Sequence, residues 1–517
     1  MSAEKLAVEP FKSVGTPVGP PSTSVDDDLE ALAQVRTITH ESCSEDLPPS
    51  SAEVRTAQGR PEPGARSAAI RGVLRSHLAA HGGAFYAFLA RLWATLMWLG
   101  LIALVVARLS PEVQGYFFTF SSLLLLQVFL EVGFGVVLLQ FVSHEWAFLR
   151  FGPRGQIEGS PAACARLASL VRLGVRWYAV VALALFVVLG TGGHLFFASS
   201  SATGVAWVTP WWLLVTAQAC STLIVPQSAF LEGSGQVALN QRNLLVANVC
   251  AGLAAGTALL VGGGLYALVL LVGVRAAVAH ALILPAAFPF LRLWRLRSAD
   301  DRIGWARQFW PLQWRIGLSW MAGFLMFQSF APAAFWVQGP GAAGQVGVMV
   351  QAFNAVNQLG SCWLTAVQPR MGQLAARANL VVLRALVRDT LRRSFATALL
   401  LAVGAFSLVA GLQHFIPRYG ARFGDLAAIG AFLAVAVSLQ LSNVETTAVR
   451  FRKREPFVLA SLACAAAVVA SNLLLGYAFG ARGMAVGFAA VICLLLLPWV
   501  HRLFRRNMEA PAVEAVA

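Results

Sequence analysis

Glu131 and Arg275 each sit inside an apolar run long enough to cross a membrane, Glu131 within 116–142 and Arg275 near the middle of 265–288. An ionised side chain in hydrocarbon is costly and is usually kept there for function. Two readings stand. In the first the two charges face one another and fix helix packing, since the large cost lies in losing one partner of a buried pair. In the second they serve a site. A neutral constellation lies further on. Gln351, Asn354, Gln358, Ser361, Thr365 and Gln368 follow steps of 3, 4, 3, 4 and 3, which keep one helix face, and Asn357 stands beside them. Such a stripe is either hydrogen-bonding glue between helices, at about 0.6 kcal/mol per contact, or the wall of a wet cavity. Six positions along a whole span favour the cavity. Arg91 and Arg315 lie near the ends of their runs, where a guanidinium snorkels to lipid phosphate or reaches the same cavity. Glu445 lies toward one end of its run, beside a basic loop.

Other chemistry has less support. His144-Glu145 lacks the second histidine of a zinc protease motif, and His194 and His280 are solitary. Asp26-Asp27-Asp28 is an isolated acidic run, which reads as solvated tail rather than a metal site. The seven cysteines are scattered and form no metal-type pair, so neither a zinc site nor a disulfide framework is expected. No metal and no cofactor are expected, and no loop is long enough to house an enzymatic domain.

The elements that position these residues follow from composition. The chain has 517 residues, 58% hydrophobic and 12% charged, with mean hydropathy +0.68. A soluble domain averages about 45–50% apolar and about 25% charged. The expected class is therefore an all-α polytopic membrane protein. Twelve apolar runs fall at 88–107, 116–142, 177–198, 207–231, 244–262, 265–288, 314–337, 343–368, 394–412, 424–448, 457–479 and 483–500, here called spans one to twelve. Each approaches the ~20 residues a bilayer helix needs. Backbone groups in lipid need internal partners, so all are helices.

The net charge of +15 does not point to nucleic acid, because the arginines lie in short loops between apolar runs. Arg150, Arg154 and Arg166 follow span two, Arg292, Arg295 and Arg297 follow span six, and Arg384, Arg388 and Arg392 follow span eight. The alternate loops hold almost none. The positive-inside rule therefore places both termini in the cytoplasm. Residues 160–176 have a basic and an apolar face at helical spacing, which suits a helix lying in the membrane interface.

Spans one and two form a helical pair broken at Leu109-Ser110-Pro111-Glu112-Val113-Gln114-Gly115, and spans seven and eight form another, broken at Gln338-Gly339-Pro340-Gly341-Ala342-Ala343-Gly344. Pro111 and Pro340 are 229 residues apart, as are Gly115 and Gly344. The shared offset predicts two lobes on one plan. The expected layout is a disordered tail over 1–80, a six-helix lobe over 81–290, a linker over 291–312, a second six-helix lobe over 313–505 and a tail over 506–517.

The stretch ARLSPEVQGYFFTFSSLLLLQVFLEVGFGVVLLQFVS resembles the N-terminal hairpin of bacterial polysaccharide-export flippases. Ala107, Arg108, Leu109, Pro111 and Gly115 match its turn, and Glu131-Val132-Gly133 matches an acidic-x-Gly segment in the following helix. Trp310-Pro311-Leu312-Gln313-Trp314-Arg315 resembles a subgroup of polysaccharide-biosynthesis-type membrane proteins. Over about residues 85–505 the chain is thus similar to the multidrug/oligosaccharidyl-lipid/polysaccharide exporter superfamily. The resemblance implies two six-helix bundles around a central cavity, with alternating access, moving lipid-linked sugars, peptidoglycan precursor or organic cations. It implies a bacterial inner membrane, a lipid-linked glycan as substrate, and other glycan-assembly proteins as partners. Arg275 then meets a substrate pyrophosphate, Glu131 releases it or carries a proton, and the amide stripe meets sugar hydroxyls. Cation-coupled efflux members carry an acid in the first helix, whereas 85–107 holds none. Small-molecule efflux is therefore the second reading, and a non-transporting membrane scaffold the third.

Overall fold

The computed structural model describes residues 96–153, 155–199, 204–295, 310–376, 379–452 and 456–509, with Tyr86, Leu89, Trp93 and Ala94 before them. Arg91, the tail over 1–80 and most of the linker lie outside the described residues. All that follows belongs to one compact unit, Leu74–Ala517.

Each of the twelve apolar runs is mostly helical in its described part. Eight helices are long and apolar enough to cross a membrane singly, and Trp320–Gln328 with Phe330–Gln338 make a ninth span bent by 45°. Span one is described as Leu96–Arg108. Val458–Met508 contains two spans, since Gly480 at φ 65° turns the chain between them. Span eight is Pro340–Gly360 followed by Cys362–Ala376, diluted in hydropathy by its own amides.

The starts are those that the turn residues dictate. Ser110 caps span two by accepting from the Val113 N–H at 3.3 Å, with Pro111 in the first turn. Asp425 caps span ten from the Ala428 N–H at 3.0 Å. Gly339, at φ 88°, ends span seven and lets Pro340 open span eight.

Two features depart from the sequence expectation. Residues 160–176 do not form a separate interfacial helix. They are the first turns of Pro161–Ala198, 38 residues long. At 1.5 Å per residue such a helix is about 57 Å long, nearly twice the ~30 Å hydrocarbon layer. The basic turns project beyond the layer instead of lying in its surface, held by Arg166 Nε on Glu145 Oε2 at 2.8 Å. Leu380–Phe415, 36 residues, does the same with Arg384, Arg388 and Arg392. The second departure is a small antiparallel hairpin, Leu149–Phe151 with Ile157–Gly159, in the loop after span two. Period-2 alternation over three residues is too short to read in a sequence.

The arginine-rich end carries a clasp. The last helix, Leu497–Glu509, is held by Arg384 Nη2 on the Met508 carbonyl at 2.8 Å and by Arg452 on the Asn507 carbonyl. Met508 seats among Leu364, Met371, Leu383, Val387 and Val444. Glu445 finds His501 of this helix, Nδ1 to Oε1 at 2.7 Å, rather than a loop arginine.

Candidate functional site: a broken helix and a polar chamber

Span two is not one helix. Pro111–Leu124 ends in a turn at Leu125 and Leu126. That turn is tightened, with the Leu125 and Leu126 N–H groups on the carbonyls three residues back; a single helical turn, Gln127–Glu131, follows, and the chain unwinds at Val132 and Gly133 before Phe134–Trp146. Both unwound residues are left-handed, Val132 at φ 50° and Gly133 at φ 71°. Val132 is the sole non-glycine residue of positive φ among the described residues. A β-branched residue in that region costs about 1–3 kcal/mol and persists only where its surroundings impose it. The acidic-x-Gly segment singled out in the sequence is thus a helix break.

What imposes the break is specific. Tyr178 Oη of span three donates to Glu131 Oε1 at 2.5 Å and accepts from the Gly135 N–H below the break. Gln127 Nε2 donates to Glu131 Oε2 at 3.3 Å. Trp177 stacks on Phe134 with ring centroids 5.0 Å apart. Gly317 of span seven presses on the break from the other side. A Cβ there would stand 3.0 Å from both Cα and O of Val132.

The short turn Gln127–Glu131 borders a chamber. Gln127 Oε1 accepts from Gln218 Nε2 at 2.5 Å and from Thr222 Oγ1 at 3.3 Å, both on span four. Arg275 of span six donates Nε to Asn248 Oδ1 at 3.0 Å and Nη1 to Ser221 Oγ at 3.5 Å. Trp98, Ser121, Gln127, Glu131, Gln218 and Arg275 line a cavity of about 420 Å³. A smaller one of about 230 Å³, at Ser221, Thr222 and Ser228, shares Gln127, Gln218 and Arg275.

The two charges read from the sequence therefore share a cavity, but Glu131 and Arg275 are not among the ion pairs formed by the described residues. Each has its own neutral partners. A guanidinium has five N–H donors, and Arg275 spends two here, leaving three at the cavity it lines.

The amide stripe of span eight divides. Gln351 accepts from Trp98 Nε1 at 2.8 Å, which joins the stripe to span one at the chamber's edge. Asn357 and Ser361 are packing groups. Buried Gln440 of span ten donates to Asn357 Oδ1 at 3.1 Å and accepts from Ser361 Oγ at 3.1 Å, while Asn443 Nδ2 reaches Asn357 Oδ1 at 3.1 Å. Gly360 admits Gln440 this closely, since a Cβ would lie 3.0 Å from its amide. Gln358 and Thr365 are exposed and Asn354 half-buried. Thr365 only returns a hydrogen bond to the Ser361 carbonyl, at 3.3 Å. The steps of three and four keep one face, but span ten covers part of it.

Replacing Gln440 by leucine should lower the melting temperature of the purified protein. The change strips the half-buried Ser361 hydroxyl of its acceptor, while Asn357 Oδ1 keeps the donor Asn443, so the expected loss is about 1 kcal/mol. An unchanged melting curve would mean that the amide cluster contributes no packing.

Tyr178, Gln127, Gln218 and Asn248 were not singled out in the sequence. A signal was there. Gln127 and Glu131 are four apart, as are Gln218 and Thr222, and polar pairs at that spacing inside apolar runs mark one helix face.

A bundle of membrane-length helices with a polar chamber at a broken helix defines the class: a multi-pass protein whose irregular backbone lines a cavity, as in membrane transporters. No family model matches the sequence, and no curated protein matches it. Solved structures do match. One is described as the lipid II flippase MurJ in an inward closed conformation, with TM-score 0.60, 10% identity, 82% of this chain and 88% of that chain covered. Another is an inward-facing multidrug resistance MATE family transporter of the MOP superfamily, with TM-score 0.55, 15% identity, 81% and 96% covered. A third is a MATE protein in complex with MaL6, with TM-score 0.51, 13% identity, 84% and 97% covered. The chain therefore shares its fold with these solved structures.

Proposed function

We propose that this protein moves an anionic, lipid-linked oligosaccharide or polysaccharide precursor across the membrane by alternating access. The observation that carries this reading is the chamber's charge. Arg275 keeps three of its five N–H donors uncommitted there, among amides and hydroxyls and beside Glu131, whose oxygens have their own donors. Those donors match the paired oxygens of a phosphate, and the amides match sugar hydroxyls. The carboxylate of Glu131 is already held on both oxygens by Tyr178 and Gln127, so it is a poor seat for an organic cation. Similarity to a lipid II flippase supports the same direction.

In this reading 81–290 and 313–505 are the two lobes, 291–312 joins them, and the tails 1–80 and 506–517 lie in the cytoplasm beneath a bacterial inner membrane. Arg91, Gln351, Asn354, Gln358 and Thr365 continue the binding surface toward the second lobe. Membrane lipids and other glycan-assembly proteins are the expected partners.

Efflux of a small cation is the second reading, favoured by the presence of Glu131 in the same cavity and by similarity to the multidrug transporters. A scaffold without transport is the third. Deleting the gene tests all three. Loss or shortening of an exported surface glycan with unchanged dye sensitivity supports the proposal. Intact glycan with new sensitivity to cationic dyes transfers the function to efflux. Glycan loss that a transport-dead Arg275→Gln protein fully restores leaves only the scaffold.

A further inference from the structure

Behind the broken turn of span two lies a second, different space. Leu126, Leu130, Val188, Leu189, Gly192 and Phe196 line a slot of about 350 Å³ between spans two and three, and Gln127 is its one polar wall. Both sides of the slot are distorted helix. On span two it borders the tightened Leu125–Leu126 turn. On span three it meets a π-helical segment, Leu185–Leu189, inside the long helix. A π-segment widens a helix locally and is common at functional sites. Val188 and Gly192 are exposed at its mouth, on the side of the bundle that faces lipid.

Gln127 belongs to all three cavities, the two that hold Arg275 and this apolar one. Gln127 stands where they meet, its Oε1 accepting from Gln218 and from Thr222. It sits on a short turn, Gln127–Glu131, that follows a tightened turn at Leu125–Leu126 and ends at the left-handed Val132. The chamber's carboxylate, Glu131, is held on both oxygens by Tyr178 and Gln127, whereas Arg275 keeps donors free, so chamber and apolar slot together suit an anionic head on an apolar chain.

We infer that the slot between spans two and three holds the apolar chain of an amphiphile whose phosphate-bearing head sits at Arg275, with Gln127 at the junction. This inference rests on the proposed substrate class and adds where the chain lies. Apolar burial in the slot then contributes to selection of long-chain over short-chain guests. Bilayer lipid with no link to the chamber is the competing occupant, and the two differ in whether the head at Arg275 governs the chain.

The test uses the full-length protein in lipid nanodiscs and a long-chain alkyl phosphate carrying a diazirine at its chain end. Adducts are mapped by peptide mass spectrometry. The expected result is labelling of the peptides containing Leu126, Leu130 and Val188, lost on Arg275→Gln, and absent with an uncharged long-chain alcohol bearing the same diazirine. A Cβ on Gly192 meets nothing within 4 Å and Gly192 is exposed at the mouth, so Gly192→Trp is the variant that should obstruct it, with its melting curve checked against the wild type. It should lower slot labelling about tenfold or more, the change expected from displacing a few buried methylenes.

Head binding is read separately. Ethyl phosphate, which has no chain for the slot, should protect Arg275 from phenylglyoxal in both the wild type and Gly192→Trp. Slot labelling that persists in Arg275→Gln, or that the alcohol reproduces, overturns the inference and leaves the head site standing. Absence of protection by ethyl phosphate in the wild type overturns the head site itself.

Discussion

Gly115→Val should stop transport and leave the protein open at its arginine-poor end. There the two copies of the repeated turn meet. A Cβ on Gly115 would overlap the Pro340 carbonyl oxygen and lie 2.6 Å from its carbon. Reciprocally, a Cβ on Gly344 would lie 2.8 Å from the Pro111 oxygen and 3.1 Å from the Gly115 nitrogen. Gln114 Nε2 locks the crossing by donating to the Gly344 carbonyl at 2.9 Å, fully buried. Aromatic rings close the space alongside. Tyr116 meets Phe335 edge-on at 4.9 Å, Phe197 meets Phe335 at 5.2 Å, and Phe196 stacks on Trp336 at 5.9 Å.

The atoms in the way are backbone, not the ends of flexible side chains, so they cannot swing aside. Over-packing costs about 1–3 kcal/mol where side chains can adjust, which is a shift of roughly 5- to 150-fold between two states. The penalty falls only on the state in which these turns touch. A state in which the turns stand apart does not feel it, so the population moves toward that state. Spin labels at the exposed Glu112 and the half-buried Gly341 should report a longer distance distribution in Gly115→Val than in the wild type. Transport should fall by more than tenfold. Gly344→Ala, with less to displace, should show the smaller shift. A wild-type distance distribution with wild-type transport would show that the crossing is not a gate.

The sequence carried the fold further than it carried the site. Helix positions were legible because apolar length is set by the bilayer. The turn crossing was legible as an offset shared by Pro111, Gly115, Pro340 and Gly344, although an offset cannot say that the two copies touch. Glu131-Val132-Gly133 was visible as a motif, but not as a break. Valine is a poor candidate for a left-handed backbone, and only Tyr178 and Gly317, distant in sequence, impose it. The spacing of the span-eight stripe places it on one face. Which residues on it stay open depends on Gln440 and Asn443 of span ten, and a periodicity within one helix holds nothing about its neighbour.

Arg275→Gln should abolish transport, Arg275→Lys should keep part of it, and Glu131→Gln should not rescue the loss. Hydrogen bonds to a charged group contribute about 1.5–3 kcal/mol each, so losing the guanidinium's grip on an anionic head predicts a drop of tenfold to a few hundredfold per bond. Lysine keeps the charge but loses the planar fork, which should show as weaker substrate affinity more than as slower turnover. The absence of an ion pair to Glu131 among the described residues decides the rescue experiment. If the two residues balanced one another, removing both charges would leave neither unpartnered and would restore protein level and transport. Their partners are instead Asn248 and Ser221 for Arg275, and Tyr178 and Gln127 for Glu131. Glu131→Gln keeps an oxygen for Tyr178 to donate to, so alone it should fold and retain substantial transport. Glu131→Ala removes that acceptor, frees Tyr178 and should destabilise the left-handed break. The double change Glu131→Gln with Arg275→Gln should therefore match Arg275→Gln alone in a vesicle assay with a polyprenyl-linked sugar phosphate. Full recovery in the double variant would make the two charges a structural pair and remove Arg275 from the substrate site.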